Sequence, residues 1–207
     1  MNLYIFGSYV RGEFDEASDV DFLIIKGITE HRHYDLNKFS VYEESRIKDL
    51  YDEGNPFAWH LHYESKLVFS SDGKDFLLDL GQPNLYSNMQ SDLIKFEKLF
   101  YSALDSLILD SSSRIFDLGT IFLSIRNFST CFSLGYLNEV NFSRDSCLKL
   151  GNFSLKVSKE NYNLMKRCRI LSTRGIGFNI TKKEFDNFVN EIPAIKNWFQ
   201  TIKHEIQ

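Results

Sequence analysis

Hydrophobic and polar positions follow two different rhythms along this chain. In its first part, short apolar runs with polar punctuation predict strands over Leu3 to Phe6, Val20 to Ile25 and Lys66 to Phe69. Lys38 to Tyr42 alternates polar and apolar residues, as a half-buried strand does. Glu43 to Glu53 reads as a helix closed by Gly54. Asn55-Pro56 then supplies an N-cap and a proline at the first helical position, opening a helix through Trp59 towards Glu64. Ser71-Asp72-Gly73 is a turn.

From Asn84 onward the rhythm is helical. Tyr86 to Leu109 repeats apolar residues at three and four, and Ile115 to Leu137 is apolar enough to sit at the centre of a bundle. Ser143 to Leu150 predicts a short helix, and Ser158 caps a longer one reaching Ser172. Thr181 to Glu184 is a capping box opening a last helical stretch that Pro193 should bend or break. Gly81-Gln82-Pro83 is the natural boundary. The expected organisation is an α+β domain at 1–81 followed by an all-α helical-bundle domain at 82–207. No internal repeat is visible.

Composition narrows the picture. At 43% hydrophobic residues the chain can build cores without staples, and only 3 prolines argue against long disordered linkers. A net charge of −4, spread in both signs, carries no strong nucleic-acid signature. Cys131, Cys147 and Cys168 lack metal-site spacing and read as reduced, buried thiols. No apolar run approaches membrane-spanning length and no signal-peptide pattern opens the chain, so a soluble cytoplasmic protein is expected.

The chemistry concentrates in Phe6-Gly7-Ser8-Tyr9-Val10-Arg11-Gly12 and Ala17-Ser18-Asp19-Val20-Asp21-Phe22. A strand ends at Phe6, and Gly7 lets the backbone turn tightly and approach a ligand. Ser8 adds a hydroxyl, and a helix beginning there would offer backbone N–H groups to an anion such as a nucleotide phosphate. Eleven residues on from Ser8, Asp19 and Asp21 place two carboxylates on one face of a strand. Acids so placed can grip a divalent cation, Mg²⁺ or Mn²⁺, which prefers one or two carboxylates plus phosphate oxygens and water. If Val20 and Phe22 cover the helices, the carboxylates look away from them.

Residues 3–25 resemble the signature of the minimal nucleotidyltransferases, within the polymerase-β-like superfamily. That superfamily includes aminoglycoside nucleotidyltransferases and antitoxins that transfer AMP to a partner toxin. Asn55-Pro56-Phe57 with Leu61, Glu64 and a short strand is similar to the stretch after the third strand in many members. The resemblance implies a small mixed β-sheet backed by helices. It also implies Asp19 and Asp21 as catalytic metal ligands, and Gly7, Ser8, Arg11 and Ser18 as nucleotide-binding residues. The helical half is loosely similar to the helical domains or partner chains of such proteins.

Two features depart from the family pattern. The first strand begins almost at Met1, without the helix that members carry before it. The family also uses a third carboxylate on a neighbouring strand, which here reads Lys38-Phe39-Ser40-Val41-Tyr42-Glu43-Glu44. With Phe39 and Val41 packed on helices, Lys38, Ser40 and Tyr42 face the cleft. Glu44 has the right parity but sits where the next helix begins. Asp35 lies upstream with the wrong parity. Both are kept as candidates for the third acid.

Other residues leave two roles open. Arg11 either touches phosphate or ties its loop to the sheet. His60 and His62 would diverge on a helix by about 200°, which favours structural roles over a shared metal. Arg126, inside an apolar helix, needs a partner such as Asp117 or Glu97, or else reaches a cleft. Arg167, Arg169 and Arg174 form either a solvated face or a substrate-binding one.

The expected function is a Mg²⁺-dependent nucleotidyltransferase. It would move a nucleoside monophosphate from a nucleoside triphosphate, ATP in the first instance, to a hydroxyl of a small molecule or of a protein. A second copy of the chain is retained as a further partner. The alternative is a non-catalytic or antitoxin-like regulator that binds nucleotide or a partner, favoured by the absence of an evident third acid.

Overall fold

Tyr4 and Phe6 are buried along Asn2–Phe6 while Leu3 and Ile5 are half-buried, the alternation of a strand packed on one face. This strand, β1, lies inside a four-stranded sheet of order β3-β2-β1-β4. The others are β2 (Asp21–Lys26), β3 (Phe39–Glu43) and β4 (Ser65–Ser70). β1 runs antiparallel to β2 and β4, and β2 runs parallel to β3, so the sheet is mixed. The computed structural model describes residues 1–13, 20–27, 32–110 and 112–206, divided into two units, Met1–Asn88 and Met89–Gln207. No helix among the described residues is long and apolar enough to cross a membrane.

In the first unit, α1 (Glu44–Asp52) and α2 (Pro56–Glu64) back the sheet. Tyr4, Phe6, Leu23 and Ile25 from the strands meet Ile47, Leu50 and Tyr51 of α1 and Ala58 and Leu61 of α2 in one core. Asn55 caps α2 through its side-chain oxygen, which accepts from the Phe57 N–H, with Pro56 in the first turn. The short helix α3 (Phe76–Leu80), capped by Asp75, has no counterpart in the sequence expectation. Its five residues are too few to show a helical period.

The segment after Pro83 folds back onto the α1–α2 corner. Asn84 donates from its backbone to the Tyr51 carbonyl at 2.9 Å and from its side chain to the Asp52 carbonyl at 2.9 Å. Its own carbonyl accepts from Trp59 Nε1 at 3.1 Å. Gly54 makes this possible: its φ is +62°, and a Cβ there would lie 2.4 Å from the Leu85 carbonyl oxygen.

The second unit is all helical: α4 (Met89–Leu109), α5 (Arg114–Phe132), α6 (Lys159–Arg174), α7 (Lys182–Val189) and α8 (Ile192–Glu205). α5 is buried on most of its circumference. Phe128 of α5, Phe100 of α4 and Phe199 of α8 form an aromatic centre, with ring centroids 4.6 Å (Phe128–Phe199) and 4.8 Å (Phe100–Phe199) apart. α5 and α6 meet at Gly119, where a Cβ would lie 3.0 Å from the Arg169 Cα.

The apolar stretch expected to run to Leu137 is α-helical only to Phe132 and continues as a wider π turn over Ser133–Leu137. The helix expected over Ser143 to Leu150 is one 3₁₀ turn, Ser146–Leu148. The last helical stretch is broken between α7 and α8, as expected near Pro193, which sits in the first turn of α8, where its missing N–H costs nothing. Arg126 has a backbone partner. It donates to the Phe142 carbonyl at 2.9 Å, Asp117 accepts from the Ser106 and Ser113 hydroxyls, and Lys203 pairs with Glu97 at 2.9 Å. Cys131, Cys147 and Cys168 are free and buried.

Candidate functional site

Antiparallel pairing makes three chain ends converge. Phe6, the last residue of β1, pairs with Asp21 on one side and with Ser65 on the other. The turn that leaves β1 at Gly7 therefore lies between the start of β2 and the end of α2. Gly7–Tyr9 is a 3₁₀ turn, and the Gly7 carbonyl accepts from both Val10 N (3.1 Å) and Arg11 N (3.3 Å). The sequence suggested a longer helix here. Among the described residues there is one turn, whose Gly12 N–H closes onto Tyr9 O at 3.2 Å. Gly7 has φ +76°, a region that side chains make costly, and a Cβ on it would sit 3.1 Å from Asp21 Oδ2. Ser8 is buried and Tyr9 exposed.

Asp21 is exposed at the first position of β2, its carboxylate against the Gly7 turn. Asp19 and Ser18 lie outside the described residues. The expected direction of the Asp21 face is corrected. Asp21 shares parity with Leu23 and Ile25, which are in the core with α1 and α2, whereas Phe22 is on the other face. The run Phe22 to Ile25 is apolar throughout, and Leu23, Ile24 and Ile25 are all buried, so no alternation marked the helix side. Asp21 escapes burial because it is at the strand end.

Register also bears on the third-acid candidates. Leu23 pairs with Ser40 and Ile25 with Tyr42, so Ser40 and Tyr42 share the Asp21 face, as expected. That face is the helix-packed one, however: Tyr42 lies against the core and 5.6 Å from the Phe57 ring. Phe39 and Val41 are on the other side. Glu44 begins α1 with its carboxylate 3.7 Å from where a Gly27 Cβ would be. Gly27 follows the last residue of β2, roughly 20 Å from Asp21 at a strand rise of about 3.3 Å per residue. Glu44 is thus at the wrong end of the sheet. Asp35 closes the turn before β3, accepting from Asn37 N at 3.0 Å, with Lys38 3.9 Å away in an exposed ion pair. Glu43, the acid within β3, lies on the opposite face and pairs with Lys26 at 3.9 Å. Among the described residues no group of three His, Cys, Asp or Glu side chains is arranged to hold a metal.

The site has a second carboxylate that strand-based reasoning missed. Glu64 ends α2 just before Ser65, level with Gly7, and its side chain is only 12% exposed. Its Oε2 contacts the Arg11 guanidinium and lies 2.9 Å from His60 Nε2. Arg11 also donates from Nε to Glu13 at 3.0 Å. The His60 ring is packed edge-on by Phe6 at 5.7 Å, and its Nε2 lies 3.8 Å from the Gly7 Cβ position. His62 points elsewhere, into a contact with Trp59 and Tyr63. The sequence signal was the four-residue spacing of His60 and Glu64, which puts both on one helix face.

A divalent cation fits the donor chemistry present. Asp21, an exposed residue, sets its carboxylate beside a turn without a side chain, and hard oxygen donors are what Mg²⁺ takes.

Residues 2–82 match the model of the family described as nucleotidyltransferase domain. Among solved structures the chain is similar to the spectinomycin adenyltransferase AAD(9) from Enterococcus faecialis, crystallised with ATP and spectinomycin. The TM-score is 0.51 at 12% sequence identity, over 98% of this chain and 91% of that one, a likeness of fold. No curated protein sequence matches the chain.

Proposed function

We propose, from the premise that residues 2–82 are a nucleotidyltransferase domain of the polymerase-β-like superfamily, that this protein transfers a nucleoside monophosphate from a triphosphate to an acceptor hydroxyl. The observation that carries the reading is the Asp21 carboxylate held against the side-chain-free Gly7 turn, 3.1 Å from where a Cβ would stand. That turn lets a phosphate approach the backbone of Gly7 and Ser8 beside a cation-binding oxygen.

In the transfer, the acceptor oxygen attacks the α-phosphorus, the bond to the bridging oxygen of pyrophosphate breaks, and the hydroxyl proton leaves to a base or to solvent. Asp21, with Asp19, would hold Mg²⁺ or Mn²⁺, which supplies neutralisation of charge on the phosphate oxygens. Gly7 and Ser8 keep the triphosphate in line. ATP as donor and a small-molecule acceptor are supported by the similar enzyme fold that holds ATP and spectinomycin.

A second reading rests on β3, which presents Ser40 and Tyr42 rather than an acid on the Asp21 face. It is a domain that binds nucleotide without turnover and regulates a partner. Both readings require metal-dependent triphosphate binding. Melting curves with ATP, GTP, CTP and UTP, with and without Mg²⁺, test this. A ligand at a hundredfold excess over its Kd stabilises by about 2.7 kcal/mol. No shift with any nucleotide at millimolar concentration removes both readings. Pyrophosphate release with an aminocyclitol acceptor then separates enzyme from binder.

A further inference from the structure

Glu64 is a carboxylate with two basic neighbours, set where β1 and α2 end and β2 begins. We infer that Glu64 and His60 position the nucleotide turn from α2, and that Arg11 is a positioning residue locked to them rather than a phosphate ligand. The inference rests on the nucleotide-binding reading above and assigns the support of that site, which β3 does not furnish.

The argument starts from geometry. Arg11 leaves the Gly7–Tyr9 turn and returns its guanidinium to Glu64, 53 positions later in the chain. Its side chain is 15% exposed and also donates to Glu13, so it is engaged on two sides by carboxylates. An arginine so neutralised offers little charge to a triphosphate. His60, one helical turn before Glu64, fills the space between that carboxylate and the Gly7 turn, 2.9 Å from Glu64 and 3.8 Å from the Gly7 Cβ position. Phe6 and Phe57 hold its ring edge-on at 5.7 and 6.4 Å, which restricts its rotation. The turn carrying Gly7 and Ser8 is therefore fixed at its far end by Arg11 and walled by His60. Asp21, whose Oδ2 lies 3.1 Å from that same Gly7 Cβ position, therefore meets a turn braced from α2. Supporting residues of this kind act on ligand affinity through the groups they orient.

The test uses ATP binding to the full chain by calorimetry, with Mg²⁺ present, and adenosine as a probe lacking phosphates. Glu64→Gln keeps the shape and removes the charge. Arg11→Gln/Glu64→Gln removes both charges together, so that neither is left buried alone. The expected result is a loss of Mg²⁺-dependent ATP affinity of about 10–100-fold in each variant, with no further loss in the double one. Adenosine affinity should stay at the wild-type level, which a general loosening of the domain would not allow. If Arg11 instead binds phosphate, Glu64→Gln releases its charge and ATP binds more tightly. Tighter or unchanged ATP binding by Glu64→Gln therefore overturns the inference. A wild-type protein that binds no ATP overturns the functional reading first and this inference with it.

Discussion

Gly7 and Asp21 meet across the paired ends of β1 and β2, so close that a methyl group on Gly7 would lie 3.1 Å from Asp21 Oδ2. The contact joins the turn proposed to receive phosphate and the carboxylate proposed to hold the metal in one local unit. Gly12, φ +71°, shares the backbone conformation but has nothing within 4 Å of its Cβ position. Gly7→Ala and Gly12→Ala should therefore each lose about 1–2 kcal/mol from the left-handed backbone alone. Only Gly7→Ala should also lose nucleotide-dependent stabilisation. Urea unfolding with and without Mg²⁺-ATP makes the comparison, and equal ATP responses in the two variants would contradict it.

Asp19→Asn with Asp21→Asn should abolish metal-dependent binding while the protein stays folded. Asp21 is exposed at the end of its strand, outside the buried core. Without a cation, two neighbouring carboxylates repel, and neutralising them leaves stability equal or higher. Melting in EDTA checks the fold. A double variant that fails to fold would show the pair to be structural.

Asp117 is buried at 3% exposure and accepts from the Ser106 and Ser113 hydroxyls. Asp117→Ala leaves those hydroxyls short of an acceptor at the start of α5 and should cost about 1–3 kcal/mol. Equilibrium denaturation reads this directly. A change within a few tenths of a kcal/mol would mean that water replaces the carboxylate.

The Thr181 backbone N–H, bonded to the Glu184 carboxylate, holds that carboxyl below its ordinary value of 4.5 against the opposing effect of burial, with the Thr181 hydroxyl and Arg167 helping. A depressed folded-state value stabilises the fold above the unfolded value, and the gain is lost as pH falls through the folded one. Glu184→Gln keeps a capping-box side chain without the charge. The melting-temperature gap between wild type and Glu184→Gln should be present near neutral pH and close on acidification below about pH 4. A gap that persists unchanged in acid would assign the effect to packing.

Burial pushes the Cys147 thiol up to about 12 and the Cys168 thiol up to about 11. Both should resist a thiol reagent near pH 8 in the folded protein and react once urea exposes them. Raised folded values also mean stability present below the unfolded thiol value, about 8.5, and lost progressively as pH rises above it. Rapid native labelling of Cys147 would show that the 3₁₀ turn Ser146–Leu148 opens locally.

What the sequence determined by itself is what neighbours in the chain decide. The caps Asn55, Ser158 and Thr181 were legible because each accepts from a backbone N–H two or three residues on. The Gly7-Ser8 turn at the end of a strand and the acid at the head of the next were legible because residue type and spacing fix them. The side of the sheet on which Asp21 lies was not, because Phe22 to Ile25 is apolar throughout and only the packing of Leu23 and Ile25 on α1 and α2 chooses a face. Nor was the place of Glu44, since parity along β3 does not tell which end of the sheet meets Gly7. The partnership of Arg11 with Glu64 spans 53 positions. It exists because antiparallel pairing sets Asp21 and Ser65 on either side of Phe6, and that register is a property of the whole sheet, written in no single stretch of the chain.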